Sequence, residues 1–249
     1  MRKTSRFLVL AASVVLCAAI AIVVMAPFRS PASPLGQFGG IHLVYRVVPA
    51  DGHQPTPAEM AAELKVVANR VNATGIAASS VYVTDGGSLG VDLPKLTFAD
   101  SMQIRLLIGA TGRLDFVPLG QTPVEVGDMI DFVANPPLFS GDQTAAASIG
   151  ASQTGQRTVD ITLKAIGAKL FADYTGRHLG DYVAITLDGK ALTVPVIREG
   201  ISDGKVQISQ GGTDGFSLLA AQRLITILQF GPLPFPLHEV GAAEVTPAP

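Results

Sequence analysis

The chain of 249 residues has no tryptophan, one cysteine and four histidines, and only 15% of it is charged. Each scarcity excludes something. A single cysteine forbids an intrachain disulfide, so the fold must be stable through its core alone. His42, His53, His178 and His238 stand far apart in sequence, and no zinc signature forms. There is no P-loop and no dinucleotide fingerprint. No metal and no cofactor is expected. A net charge of −2 leaves no basic footprint, so no nucleic acid is expected as a partner. The chain is 48% hydrophobic and reads as foldable, not disordered.

One long apolar run is present. Met1-Arg-Lys-Thr-Ser-Arg6 is basic, Phe7 to Ala26 carries no charge, and Arg29 closes the stretch. A helix rising about 1.5 Å per residue spans roughly 30 Å over such a run, the thickness of a bilayer's hydrocarbon core. Residues 7–26 are therefore expected to hold the chain in the lipid bilayer of the cell membrane as a single pass. The basic residues precede the run, which places the N-terminus in the cytoplasm and residues 30–249 on the extracytoplasmic side. A secretory signal peptide has the same polarity, but its apolar region is usually about 7–15 residues. Its cleavage candidate here, Val24-Met25-Ala26, is followed by Pro27. Cys17 follows a lipobox-like Val14-Val15-Leu16, where Leu16 is bulky, and reads as buried in the span. No charge interrupts that span, so it offers no ion path of its own.

Beyond the run, 30–40 is rich in Pro, Ser and Gly and reads as a linker. Ile41–Val48 reads as a strand. Thr56-Pro57-Ala58-Glu59 opens a helix with a capping box, Met60, Leu64, Val67 and Val71 recur at helical spacing, and Gly75 stops it. Ser79–Thr84 and Leu89–Leu93 form a hairpin around Asp85-Gly86-Gly87. A helix from Thr97 to near Gly109 and a strand at Leu114–Pro118 complete a strand-helix-strand-strand-helix-strand order, the ferredoxin-like pattern. A second module follows, with strand Arg157–Leu163, helix Lys164–His178, hairpin Tyr182–Leu187 with Lys190–Val196, and strand Lys205–Ser209. Helix Phe216–Phe230 and strand Leu233–Val240 then return to the first module. The expected fold class is α+β. The expected division is a tail and transmembrane helix (1–29), linker (30–40), base lobe (41–134), inserted head lobe (135–212), returning base helix and strand (213–241) and a disordered tail (242–249). Hinges are expected near Asn135 and at Gly211-Gly212.

Gly86-Gly87-Ser88-Leu89-Gly90 fits the G-x-S-x-G nucleophile elbow by letter, but that motif needs a helix after its serine and a strand follows here. Ser88 is the sole basis for a hydrolase reading. Asn72-Ala73-Thr74 matches a glycosylation sequon. No catalytic, cofactor-binding or metal residue is assigned, no enzymatic activity is expected, and the substrate-binding residues are unknown.

Several stretches resemble the SecD subunit of the bacterial Sec protein-export apparatus. They are Gly39-Gly-Ile-His-Leu-Val-Tyr45, Asn69-Arg-Val-Asn-Ala-Thr-Gly75, Leu107-Ile-Gly-Ala-Thr-Gly-Arg-Leu-Asp-Phe116, Gly167-Ala-Lys-Leu-Phe171, Ala184-Ile-Thr-Leu-Asp-Gly189 and Leu233-Pro-Phe-Pro-Leu237. The resemblance implies a ferredoxin-like base with an inserted head. Where the family shows "GLDLQ" before the glycine pair, Gly36 stands at the Asp position. The family continues into further membrane helices, which with the SecF partner carry a proton-coupled step, whereas this sequence ends at Pro249. The expectation is a SecD-like membrane-anchored accessory of Sec-dependent translocation, with no proton-driven motor of its own. Its implied partners are the Sec translocon, a SecF-like subunit and unfolded preprotein, captured at a sheet edge or between the lobes. The alternative is a divergent single-pass binding or scaffold protein that has lost export.

Overall fold

Chain entry is pinned where the composition reads as linker. The computed structural model describes residues 33–210 and 215–247, so the expected span at 7–26, Cys17 and Gly211-Gly212 lie outside the described residues. Leu35–Phe38 forms a helical turn, α1, with Leu35 buried against the first strand pair. The linker reading of 30–40 is corrected for residues 33–40.

β1 (Gly40–Val47) alternates, with Ile41, Leu43, Tyr45 and Val47 all facing one core. α2 (Pro57–Asn72) starts as its sequence dictates. Thr56 Oγ1 accepts the Glu59 N–H at 3.3 Å, and the Glu59 carboxylate accepts the Thr56 N–H at 2.8 Å. β2 (Ser80–Val83) and β3 (Leu89–Pro94) form the expected hairpin. α3 (Met102–Gly109) begins later than Thr97, because Thr97 Oγ1 ties itself to Asp100 and holds the preceding residues in turns.

The next strand departs from the sequence reading. β4 (Leu114–Gly120) pairs with β5 (Phe139–Ser140) and with the later strand Tyr182–Leu187, and not with β1–β3. Its Leu114–Val117 stretch is buried on both faces, which requires cores on both sides. Phe116 stacks on Phe139 at 4.4 Å and meets Phe171 edge-on, whereas Val117 packs oppositely with Ile130, Ala184 and Ala191. Such a buried phenyl ring contributes about 2–3 kcal/mol. The head continues through β6 (Thr144–Ala151), β7 (Arg157–Leu163), α4 (Ala165–Thr175), β8 (Tyr182–Leu187), β9 (Lys190–Thr193), β10 (Lys205–Ile208) and α5 (Leu218–Phe230). β6 carries little strand signal, because five of the eight residues in its Thr-Ala-Ala-Ala-Ser-Ile-Gly-Ala run are alanine or glycine. α5, expected in the base, gives Ala221 and Leu224 to the head core.

β11 (Leu237–Val245) returns and pairs with β1 from Val47↔Leu237 to Gly40↔Val245. The tail expected at 242–249 is therefore strand as far as Val245. The strand also begins at Leu237, not Leu233, the prolines at 234 and 236 delaying it. Among the described residues the sheets run β11-β1-β3-β2, β10-β7-β6 and β5-β4-β8-β9. The first has the ferredoxin-like order, with β11 as its fourth strand and the head inserted between α3 and β11.

Candidate functional site at the joint between the lobes

The chain crosses from base to head between α3 and β4, and back between α5 and β11. The two crossings are bonded to each other, the Leu233 N–H donating to Thr111 O at 2.7 Å. Arg70 of α2 grips both. Its Nη1 donates to Leu107 O at 3.1 Å and Ala110 O at 2.5 Å, and its Nη2 to Thr111 O at 3.1 Å and Gly231 O at 2.8 Å. These carbonyls lie at the ends of α3 and α5, where helices leave orphan acceptors and partial negative charge. One planar guanidinium thus serves two helix C-termini. Arg70 is fully buried, and burial pulls its pKa down to about 10, so it stays charged at neutral pH. Gly112 makes room: its φ is +82°, and a Cβ there would lie 2.5 Å from Arg70 Nη2.

Glu63 lies two helical turns before Arg70 on the same buried face of α2. Its Oε2 accepts the Phe235 N–H of the returning segment at 3.2 Å, while Oε1 has no hydrogen-bond partner among the described residues. Burial raises this carboxyl to about 7, against the opposing pull of that N–H and of Arg70. In the sequence Arg70 stands out only as part of the Asn69–Gly75 resemblance, and Glu63 not at all. The available signal was a charge at the 63 and 70 positions of an otherwise apolar helical face.

Two clefts flank the joint. One of about 450 Å³ lies between α3 and α5, with Ile76, Ile104, Leu107, Leu219 and Ile225 on its walls. The other, about 370 Å³, is bounded by Gly112, Arg113, Ser140, Asp142, Ile227 and Pro232. The hinge expected near Asn135 does not lie at these crossings, since Asn135 falls in a head loop between β4 and β5, and Gly211-Gly212 lies outside the described residues.

The residues weighed for chemistry are dispersed. Ser88 closes the β2–β3 hairpin, its N–H donating to Thr84 Oγ1 at 3.2 Å, and a strand follows it. His53 lines the same shallow cleft, but its Nδ1 meets Asp51 and its Nε2 lies 3.1 Å from Glu59, leaving no ring nitrogen to take a serine proton. His42 Nδ1 lies 2.7 Å from the buried Asp92, which also accepts from Ser33 Oγ at 2.6 Å. Serine and histidine both bond the carboxylate and not each other, so this cluster secures the chain entry to the sheet. His178 pairs with Asp181 at 3.0 Å and stacks on Tyr174. His238 is exposed on β11, and Asn72 and Thr74 are exposed at the end of α2. Among the described residues no cluster of three or more His, Cys, Asp or Glu could hold a metal ion, and no helix is long and apolar enough to cross a membrane.

Comparison with known proteins follows the same division into base and head. Residues 60–121 match the family described as the N-terminal part of the P1 domain of protein translocase subunit SecDF, and residues 125–235 match the SecDF P1 head subdomain. SecD of Dictyoglomus turgidum is 30% identical over 234 residues, covering 94% of this chain and 53% of that protein. SecDF of Thermus thermophilus is 30% identical over 232 residues, covering 84% of this chain and 30% of that protein. A crystal structure of SecDF in a super-membrane-facing form superposes with a TM-score of 0.71 at 28% identity, covering 88% of this chain and 32% of that one. A structure of SecDF, described as a membrane component that enhances protein export, gives 0.67 at 29% identity, covering 80% of this chain and 98% of that one. The chain spans about half the length, or less, of the curated relatives it matches. Base and head match in order and in fold, and the chain belongs to the SecDF P1-domain family.

Proposed function

We propose that this protein serves Sec-dependent translocation as a SecD-like accessory. Residues 7–26 anchor it in the cell membrane with the N-terminus cytoplasmic, and residues 30–249 bind unfolded preprotein on the extracytoplasmic side. The Sec translocon and a SecF-like subunit are its partners. The task given to these residues is binding, not catalysis or proton movement. Family membership across both lobes supports this reading more than any other observation. The architecture adds a physical reason. Clients of an export machine share a backbone and little else, and sheet edges recognise backbone independently of side chains. The lobes present several such edges, and clefts flank their joint.

The test is photocrosslinking. Photoreactive groups placed in turn over the head of the membrane-bound chain should capture a stalled export substrate. Adducts wholly absent from head and joint, with secretion kinetics unchanged on gene deletion, would reject the reading.

A further inference from the structure

We propose that the outer edge of β6 is the strand-addition site of the head, and that its occupant is an extended, unfolded polypeptide. This rests on the function proposed above and names the place where its client would bind.

The inference comes from comparing edges. An uncovered edge strand offers unpaired N–H and C=O groups to any extended chain, and natural proteins guard such edges with charge, proline, brevity, bulges or cover. The other edges here are guarded. β2 and β10 are four residues long, and β10 starts on Lys205. β5 has two residues. β9 is covered by a loop: the Gly127 N–H donates to Ala191 O, the Ala191 N–H to Asp128 O and the Ile130 N–H to Gly189 O. β11 carries a register shift and two charges, and its Glu239 is held in the fork of Arg105.

β6 has little of this. It is eight residues long, without charge or proline. Its single irregularity lies at its start, between Thr144 and Ala146. From Ala146↔Thr162 to Ala151↔Arg157 it then pairs with β7 residue by residue, and among the described residues its other side has no strand. That leaves a regular six-residue edge, the length of an average strand. Apart from Ile149 its side chains are small, and of the helices it is α5 that packs against it. Ser148 is exposed, and Ile149, on the side of the sheet that faces the head core, is 42% exposed. A strand added here would extend the β10-β7-β6 sheet and cover Ile149. Pairing would run through backbone groups alone, with one shallow apolar contact as preference.

The experiment is a proline scan of Ala146, Ala147, Ser148 and Ile149 in the full chain, held in detergent micelles. Successive residues of an antiparallel strand turn their N–H groups alternately toward the partner and away. Two of the four prolines therefore remove a bond to β7, and two remove only an outward N–H. The probe is fluorescent reduced and carboxymethylated lactalbumin, a permanently unfolded chain, read by anisotropy. The outward pair should keep the wild-type thermal midpoint and lose about tenfold in affinity, the worth of one or two backbone bonds. The inward pair should lose stability. Ser148→Lys and Ile149→Lys, which guard the edge without touching the ladder, should reproduce the loss of binding. Wild-type affinity in the outward prolines and both lysine variants would overturn the site. If head crosslinks to stalled export substrate persist in those variants, the edge fails and the proposed function stands. Absence of every crosslink from the wild-type head and joint, with secretion kinetics unchanged on gene deletion, would instead reject the function. Concentration-dependent dimers crosslinked β6 to β6 would make the occupant a second copy and overturn the proposal.

Discussion

Replacing Glu63 with glutamine should reverse the sign of its effect across the pH range. The carboxyl is raised from its ordinary 4.5 to about 7 by burial beneath the returning segment. In the unfolded chain it ionises near 4.5. Between these values the folded chain holds a proton that the unfolded chain has released, so stability falls as pH rises. The contribution is fully present below pH 4.5 and lost once pH passes about 7. At about 1.4 kcal/mol per tenfold change, this amounts to roughly 3 kcal/mol. Glutamine keeps an oxygen for the Phe235 N–H but adds a buried amide without an acceptor, costing about 1 kcal/mol. Glu63→Gln should therefore be about 1 kcal/mol less stable than wild type at pH 4.5 and about 2 kcal/mol more stable at pH 8. The assay is urea denaturation of both full chains in detergent at several pH values. His53, whose pKa is raised by Asp51 and Glu59, is common to both proteins and cancels in the difference. A wild-type-minus-variant difference that is flat with pH would refute the assignment of a neutral, buried Glu63.

The remaining predictions concern the same joint and the helix that builds it. Arg70→Met removes a donor from four carbonyls, of which Thr111 O keeps the Leu233 N–H, and should cost about 3–5 kcal/mol in the same denaturation experiment. Arg70→Lys should recover only part of this, since a single ammonium has three donors and cannot span both crossings. Gly112→Ala forces a left-handed residue and a Cβ against Arg70 and Ile227, and should cost about 2 kcal/mol or more. Amide exchange should show that loss as local opening at Thr111 and Leu233. Thr56→Ala removes the α2 cap and should cost about 1 kcal/mol, read as a lower thermal midpoint.

Local chemistry was legible in the sequence where a few adjacent residues decide the outcome. Thr56 and Glu59 announce the start of α2, and Asp85-Gly86-Gly87 announces the β2–β3 turn. Pairing partners were harder to read. Leu114–Pro118 has the composition of a strand, and nothing within it says that Leu187 and not a base strand lies opposite. The fourth position of the base sheet goes to β11, a stretch whose Gly-Ala-Ala-Glu reads as tail until β1 is seen to hold it. β6 is the extreme case, since alanines and glycine become a strand only because β7 and α5 support them. The joint escaped for a related reason. Arg70 stands in the sequence within the family-like Asn69–Gly75 stretch, but nothing local says that its guanidinium serves carbonyls on two distant segments. The residues weighed for catalysis were read from spacing alone, and the fold sets Ser88, His42 and His178 in separate surroundings.

The insertion of the head also orders assembly in time. β1 lies inside the base sheet, yet the strand on one of its flanks comes last of the described strands in chain order, Gly40 facing Val245. A chain emerging from its N-terminal end completes every head strand before the base can close. Until then β1 stands with half its backbone bare, and such long-range closure is a slow step in folding. Arg70 is in place early, but it must wait for Gly231 to arrive, so the last bond of the joint and the last strand of the base form together.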